Sequence, residues 1–301
     1  MRSIMQRKMA AVLTALALCL GLLAGSPAWA TEGGGGAYPN GAEDFMSGAV
    51  PPPGTYFINY FNYYSAGRFN DKNGDRAPIP FDLDVYANVF RVIHVTDLKV
   101  LGGFWGMHVF IPLMKVDVHS SPGGSGSKEG LGDIIIDPVI LSWHGKNWHL
   151  VTAVDIYCPT GSYNKNRVAN LGRNYWTFEP ILSGTYVTDG GFDVSAKFMY
   201  DINTENSDTD YRSGQEFHVD YTIGQRIGNF NLGAGGYYYQ QTTADRTSGP
   251  VNYGKGMAVS LGPQIKYDHK NMSFIFKYYF ELETKNRPQG DSLWAKFVYA
   301  F

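Results

Sequence analysis

Cysteine is nearly absent from this sequence: Cys19 and Cys158 are the only two in 301 residues. Cys19 falls inside an N-terminal apolar run, and the one thiol left after that run cannot form an intramolecular disulfide. Charge is scarce as well. Charged residues make up 17% of the chain, against about 25% in soluble domains. Net charge is −2 at pH 7, and no basic patch provides the electrostatic footprint of a nucleic-acid binder, so no nucleic-acid partner is expected. Beyond residue 30 no apolar stretch reaches the roughly 20 residues of a transmembrane helix. No G-x-S-x-G frame surrounds a serine, and no phosphate-binding glycine motif occurs.

What is abundant is glycine (36) and aromatics, with Tyr 21, Phe 18 and Trp 6. The first 30 residues form one unit. Arg2, Arg7 and Lys8 precede an apolar run from Met9 to Ala24, and Ser26-Pro-Ala-Trp-Ala30 supplies an A-x-A site, which predicts a secretory signal peptide cleaved after Ala30. Leu18 and Leu20 flank Cys19 and do not fit a lipoprotein site, so removal rather than lipidation is expected. Losing Arg2, Arg7 and Lys8 takes the net charge to −5. An exported chain without a spanning helix enters a membrane only as a closed barrel, because every backbone polar group must be paired there.

The last ten residues, S-L-W-A-K-F-V-Y-A-F, alternate Leu293, Ala295, Phe297, Tyr299 and Phe301 against Trp294, Lys296, Val298 and Ala300. That is a strand with one greasy face. A bare terminal strand is an exposed edge, and closure into a barrel removes it. The terminal Phe301 resembles the assembly signal of outer-membrane barrels, which implies the barrel-assembly machinery as a partner.

Residues 31–53 are rich in Gly and Pro without periodicity. They read either as a flexible leader or as a plug packed into a lumen through Tyr38, Phe45, Met46 and Val50. From residue 54 the pattern predicts twelve strands, at 54–66, 82–96, 100–117, 132–144, 147–159, 173–187, 191–203, 213–227, 229–243, 255–268, 271–284 and 291–301. Tight turns at Asp97-Leu98-Lys99, Gly145-Lys146, Thr188-Asp189-Gly190, Gly228-Asn229 and His269-Lys270 alternate with longer polar loops at 67–81, 119–131, 160–172, 204–212, 244–254 and 285–290. Short and long connections in strict alternation define an all-β, up-and-down antiparallel transmembrane barrel of twelve strands spanning 54–301, with both termini on the periplasmic side.

Face assignment fits lipid outside and polar groups inside. In 271–284, Met272, Phe274, Phe276, Tyr278, Phe280 and Leu282 oppose Ser273, Lys277, Tyr279 and Glu281. In 147–159, Trp148, Leu150, Thr152, Val154 and Ile156 oppose His149, Asp155 and Tyr157. The predicted second strand is ambiguous, because Arg91 sits among Val89, Ile93 and Val95. The inward charged set is Asp133, Asp137, Asp155, Glu179, Asp193, Lys197, Glu216, His218, Asp220, Arg226, Lys266, Lys277, Glu281 and Lys296. Its bland reading is a solvated, mutually paired interior. Glu216-Phe-His218-Val-Asp220 places two carboxylates and an imidazole on one strand face, but neighbours on one strand point in parallel, so no metal is expected. No cofactor is expected either.

Several motifs then resemble one family. Gly130-Leu-Gly-Asp-Ile-Ile-Ile-Asp-Pro138, Cys158-Pro-Thr-Gly-Ser-Tyr163, Asn174-Tyr-Trp-Thr-Phe-Glu-Pro180, Asp210-Tyr-Arg-Ser-Gly-Gln-Glu216 and Gly235-Gly-Tyr-Tyr-Tyr-Gln240 occur in that order, after a leader Glu32-Gly-Gly-Gly-Gly-Ala-Tyr-Pro-Asn-Gly41. Together they resemble the meta-pathway phenol-degradation family of bacterial outer-membrane proteins, over nearly the whole chain beyond residue 30. Cys158 stands where an apolar residue is expected. The resemblance implies a monomeric channel in the cell outer membrane, not an enzyme, that takes up hydrophobic or aromatic small molecules. The expected solute path is Asp155, Glu179, Tyr175, Glu216, His218, Tyr237, Tyr239 and Lys277, with Tyr63, Tyr157 and Trp294 as further stacking surface; each Tyr alternatively belongs to an interfacial girdle. Two other readings stay open at this stage. One is a structural or interaction barrel with a closed lumen; the other is a lipid hydrolase, which needs a Ser and His paired on one rim.

Overall fold

The computed structural model describes residues 31–121, 123–247 and 254–301. Residues 1–30, expected to be a signal peptide, therefore lie outside the described residues. No described helix is long and apolar enough to cross a membrane. The barrel strands are β1 (Gly54–Ala66), β2 (Phe81–Val100), β3 (Gly103–Ser120), β4 (Ile134–His144), β5 (Trp148–Cys158), β6 (Thr177–Val187), β7 (Phe192–Asn203), β8 (Glu216–Ile227), β9 (Phe230–Gln241), β10 (Met257–His269), β11 (Met272–Lys285) and β12 (Asp291–Ala300). Each pairs antiparallel with its sequence neighbours, and β1 pairs β12 from Tyr56↔Ala300 to Ser65↔Asp291, which closes the ring. Twelve strands in sequence order, closed by the last on the first, is the up-and-down barrel that the alternating connections required.

The wall is two-faced. Along β7 and β11 exposure alternates residue by residue: Val194, Phe198, Phe274, Phe276 and Phe280 are exposed, while Asp193, Ser195, Lys197, Ile275, Lys277 and Tyr279 are buried. The outer surface is an apolar belt with no charge at its middle on these strands. Each lysine or arginine there would cost about 2–4 kcal/mol. Arg91, ambiguous from sequence, points inward together with Ile93 and Val95, while Val92 and His94 are exposed.

Some connections differ from expectation. The β2–β3 turn is Leu101-Gly102, both in the left-handed region (φ 52° and 81°), a backbone that glycine accepts and Asp97-Leu98-Lys99 does not need. Residues 97–99 instead lie at a register shift between Val95 and Lys99, where Thr96 Oγ1 accepts from the Leu98 amide and donates to the Trp105 carbonyl. Residues 124–131, expected as loop, form a strand on the distal half of β3, from Leu113↔Leu131 to Ser120↔Gly124. β3 has 18 residues, whereas about 9–11 cross a bilayer; the part that projects past the lipid presents an edge, and Gly124–Leu131 covers it. The expected start of β6 at 173 moves to Thr177, which leaves Tyr175 in the preceding loop. Likewise Phe69–Asn70 pairs with Arg287–Pro288 above the wall, joining two of the long loops.

The leader is where the expected topology changes most. Glu32 accepts from Tyr163, Asn206 and Thr209, all in the long loops. Residue 54, in contrast, opens β1 opposite Val95 near the short turns. Residues 31–53 thus run from the long-loop mouth down to the short-turn end. Thr31, the first described residue, is at the opposite end of the barrel from the start of β1 and from Phe301, whose amide donates to Thr55.

Candidate functional site

The leader contacts strands all around the ring, β2, β6, β7, β8, β9, β11 and β12 among them, which places it inside. Tyr38 OH donates to Asp220 on β8 at 2.5 Å, and the Gly41 and Glu43 amides donate to the same carboxylate at 3.0 Å. Lys277 on β11 donates to three successive leader carbonyls, of Gly41, Ala42 and Glu43, at 2.6–2.9 Å. Lys296 on β12 pairs Asp44 at 2.8 Å. Below, the Met46 amide donates to Ser195 on β7 and the Gly48 amide to Thr185 on β6. An ideal Cβ on Gly48 would meet the Gly184 backbone at 2.6 Å, so only glycine lets the leader approach β6 so closely.

Glu43 sits at the centre of this arrangement. Its carboxylate lies 3.3 Å from Lys197, 3.7 Å from Lys296 and 3.8 Å from Arg91, cations on three separate strands. Burial alone disfavours the charged form, but the cations of Lys197, Lys296 and Arg91 outweigh it and hold the Glu43 carboxyl well below the usual carboxylate range. Tyr38 is pushed the other way: burial first, then the carboxylates of Asp220 and Glu43, keep its phenol protonated and donating. From Arg91 the network continues into the wall. Its guanidinium donates to His108 Nδ1 at 2.8 Å, so His108 Nε2 carries the proton and donates to Asp155 at 2.8 Å. Asp137 accepts from the Val139 and Val154 amides at 2.6 and 3.0 Å, filling the break in the β4–β5 ladder between Ile136 and Leu141.

Around these polar contacts the interior is apolar. Ile93, Val95, Ile140, Val151, Ala153 and Ile181 form one buried cluster with Tyr60, Tyr237, Tyr239, Tyr279 and Trp294, and Tyr38 joins it from the leader. Phe45 is 4% exposed. It lies in a notch between the paired glycines Gly224 and Gly233, where a Cβ on either would come within 2.5–2.9 Å of its ring.

All eight expected solute-path residues lie on this interior. Asp155, Glu179, Tyr175, Glu216, His218, Tyr237, Tyr239 and Lys277 are each at most 3% exposed, and so none borders open lumen in this state. Tyr38 and Phe45 are buried; Met46 is half-buried with a left-handed backbone, φ 64°. Trp294 is buried under the Lys277 ammonium, 4.9 Å from its ring, and Tyr157 donates to Glu179. Tyr63, by contrast, pairs with the exposed Leu293 and stacks on the exposed Tyr86 at 4.6 Å, so it belongs to the outer girdle. Arg226 is also outside the set: it sits half-exposed near the short turns, paired with Asp268. Glu43, Arg91, His108 and Asp201 were not among the expected site residues. Glu43 fell in an aperiodic stretch with no pattern to read, and Asp201 becomes Glu216's neighbour only through the β7–β8 register.

A closed ring with an apolar belt outside and a packed, mixed interior defines an outer-membrane β-barrel. Residues 66–297 match the family described as "Putative MetA-pathway of phenol degradation"; the chain belongs to that family. Its fold is similar to the COG4313 outer membrane channel from Pseudomonas putida F1, with 17% identity, a TM-score of 0.76, and coverage of 86% of this chain and 100% of that one. A more distant likeness is to the β domain of the Bordetella autotransporter BrkA, at 14% identity and TM-score 0.51 over 83% of this chain and 100% of that domain. No curated protein sequence matches.

Proposed function

We propose that the protein is an outer-membrane channel for hydrophobic and aromatic small molecules, closed by residues 31–53 and opened when they leave the lumen. One observation carries the reading: every hydrogen bond from the leader to the wall uses a side chain on at least one partner, while its backbone-to-backbone bonds, Gly34 to Thr31, Ala42 to Pro39 and Ala49 to Met46, stay within the leader. The segment withdraws without breaking any barrel ladder. The surface uncovered joins the polar side chains that held the leader to the cluster of Ile93, Val95, Ile140, Val151, Ala153 and Ile181 with its Tyr and Trp rings, and that apolar part is a lining suited to apolar solutes. The interior residues act by packing and stacking, without covalent chemistry, and the protein is not an enzyme. Solute and lipid are its partners as a monomer, with Phe301 presented to the assembly machinery.

The test is uptake of labelled toluene and phenol, with a small sugar as control, by cells whose outer leaflet is lipopolysaccharide. The protein, and a variant lacking residues 31–53, should each raise aromatic uptake over a strain without it, the variant more so. No increase from either folded barrel refutes the channel.

A further inference from the structure

A second buried cluster stands beneath the upper part of the leader, at the long-loop end of β7 and β8. The β7–β8 register sets Asp201 directly opposite Glu216, with His218 two residues along on the same inward face. One acceptor-type atom from each of the three lies within 4.8 Å of the others. All three residues are fully buried. His218 Nε2 is 3.2 Å from Asp201 Oδ2 and 3.6 Å from Glu216 Oε2.

The protons on this imidazole are set by the leader. Asn40 Oδ1 lies 2.7 Å from His218 Nδ1, and an amide oxygen only accepts, so Nδ1 carries the hydrogen. With Nδ1 protonated, Nε2 faces two carboxylate oxygens, and a bare lone pair there is repelled unless a proton or a metal cation sits between them. Three nearby oxygens receive no hydrogen bond: Asp201 Oδ1, Glu216 Oε2 and Glu179 Oε1, from carboxylates that are fully buried. One extra proton on Nε2 satisfies a single oxygen and leaves the rest orphaned. Of the nearest cations, Lys197 pairs Glu43, and Arg287 lies 4.0 Å over the Tyr239 ring, where its charge also acts on Glu216 without forming an ion pair with these carboxylates among the described residues. Tetrahedral ligands about 2.0–2.2 Å from one zinc ion are separated from each other by about 3.3–3.6 Å, close to the two distances from His218 Nε2.

The His108–Asp137–Asp155 cluster is the internal contrast. It too has three potential ligands together, but Arg91 occupies His108 Nδ1, Nε2–H donates to Asp155, and Asp137 accepts two amides. Its imidazole has no lone pair left to offer.

We propose that Asp201, Glu216 and His218 bind one divalent transition-metal cation of the zinc type, with Glu179 as a further anionic wall and Asn40 as the positioning residue that fixes the metal-binding tautomer. Imidazole with carboxylates suits zinc better than calcium or magnesium. Because Asn40 belongs to the leader, the ion and the seated leader support one another.

The purified protein in detergent, stripped with chelator, is titrated with Zn²⁺ by calorimetry at pH 7.4, with metal content counted by mass spectrometry. One equivalent should bind, with micromolar affinity or tighter. D201N, E216Q and H218Q should each weaken binding at least tenfold, and N40A about 10–100-fold, the usual effect of losing a hydrogen bond behind a histidine ligand. H108Q should leave it unchanged. Gel migration of unheated samples checks that each barrel is folded, and with three ligand variants one unfolded case does not spoil the test. No uptake by the folded wild type overturns the proposal in favour of an imidazolium held between the carboxylates. So does uptake that persists in D201N and H218Q, or displacement of Zn²⁺ by millimolar Ca²⁺.

Discussion

Removing the charge of Glu43 is the sharpest way to perturb the closed state. In the substitution Glu43→Gln, the cations of Lys197, Lys296 and Arg91, which face it at 3.3–3.8 Å, lose the group they share. Breaking one side of a buried ion pair costs about 3–5 kcal/mol. Glu43 retains 14% side-chain exposure, and its contacts are longer than a direct hydrogen bond apart from that to Lys197, so the lower end applies, about 3 kcal/mol. At about 1.4 kcal/mol per decade this shifts the seated-to-released equilibrium of the leader by about a hundredfold. The strand ladders are untouched, so barrel stability should hold. In a Cys158→Ser background with Ser47→Cys as probe, maleimide labelling proceeds through the released state, and its rate reports that equilibrium. Labelling should be about a hundredfold faster with Glu43→Gln, and single-channel recordings should show a matching rise in open time. Adding Lys197→Met should recover part of the loss by removing one uncompensated cation. Labelling rates equal within about threefold would refute the reasoning, because the leader would then be held by packing alone.

Three further expectations follow from the same contacts. Asp220→Asn removes a carboxylate that accepts from Tyr38 OH and two leader amides; at about 1 kcal/mol or more for each weakened charge-assisted bond, open time should rise at least tenfold while the unheated gel mobility stays that of a folded barrel. On the outer face, Phe276→Lys should destabilise the barrel by about 2–4 kcal/mol and Leu282→Lys, nearer the rim, by about 0–1 kcal/mol, read from denaturant titrations in lipid vesicles. Equal losses at both sites would contradict the depth assignment. For pH, the Glu43 carboxyl is depressed in the seated state, so its contribution is complete above the ordinary glutamate range near about 4.3 and disappears only as pH falls through the lower seated-state value. Closed-state conductance should therefore be unchanged between pH 7 and pH 5; opening at pH 5 would show that another group controls release.

How much of this was readable in advance depends on whether the signal was periodic. Strands such as β7 and β11 announce themselves, because lipid outside forces every second residue to be apolar and leaves charges only the inward positions. The alternation of short and long connections then fixes the topology without any long-range information. The turn at Leu101-Gly102 was misplaced because Asp97-Leu98-Lys99 has the more polar composition, whereas the glycine that makes the turn lies farther on. Gly124–Leu131 looked like loop because a strand over water has no lipid to impose a greasy face. The interior was legible as a list of residues but not as partnerships. Glu216 and His218 are two apart in sequence, yet the third member of their cluster, Asp201, arrives through register, and Asp220 turns away to hold the leader. The leader itself carried no pattern, since each of its contacts answers to a different strand.

The leader's lack of backbone pairing with the wall bears on how such proteins diversify. A strand cannot change without its two neighbours accommodating the new register and twist. Residues 31–53 are under no such obligation: their fit depends on about ten side chains scattered around the ring, and each can be exchanged singly. If residues 31–53 close the channel as proposed, closure strength and solute preference can drift at those positions while the cylinder is inherited intact, so homologous cylinders with little sequence in common can carry differently tuned gates.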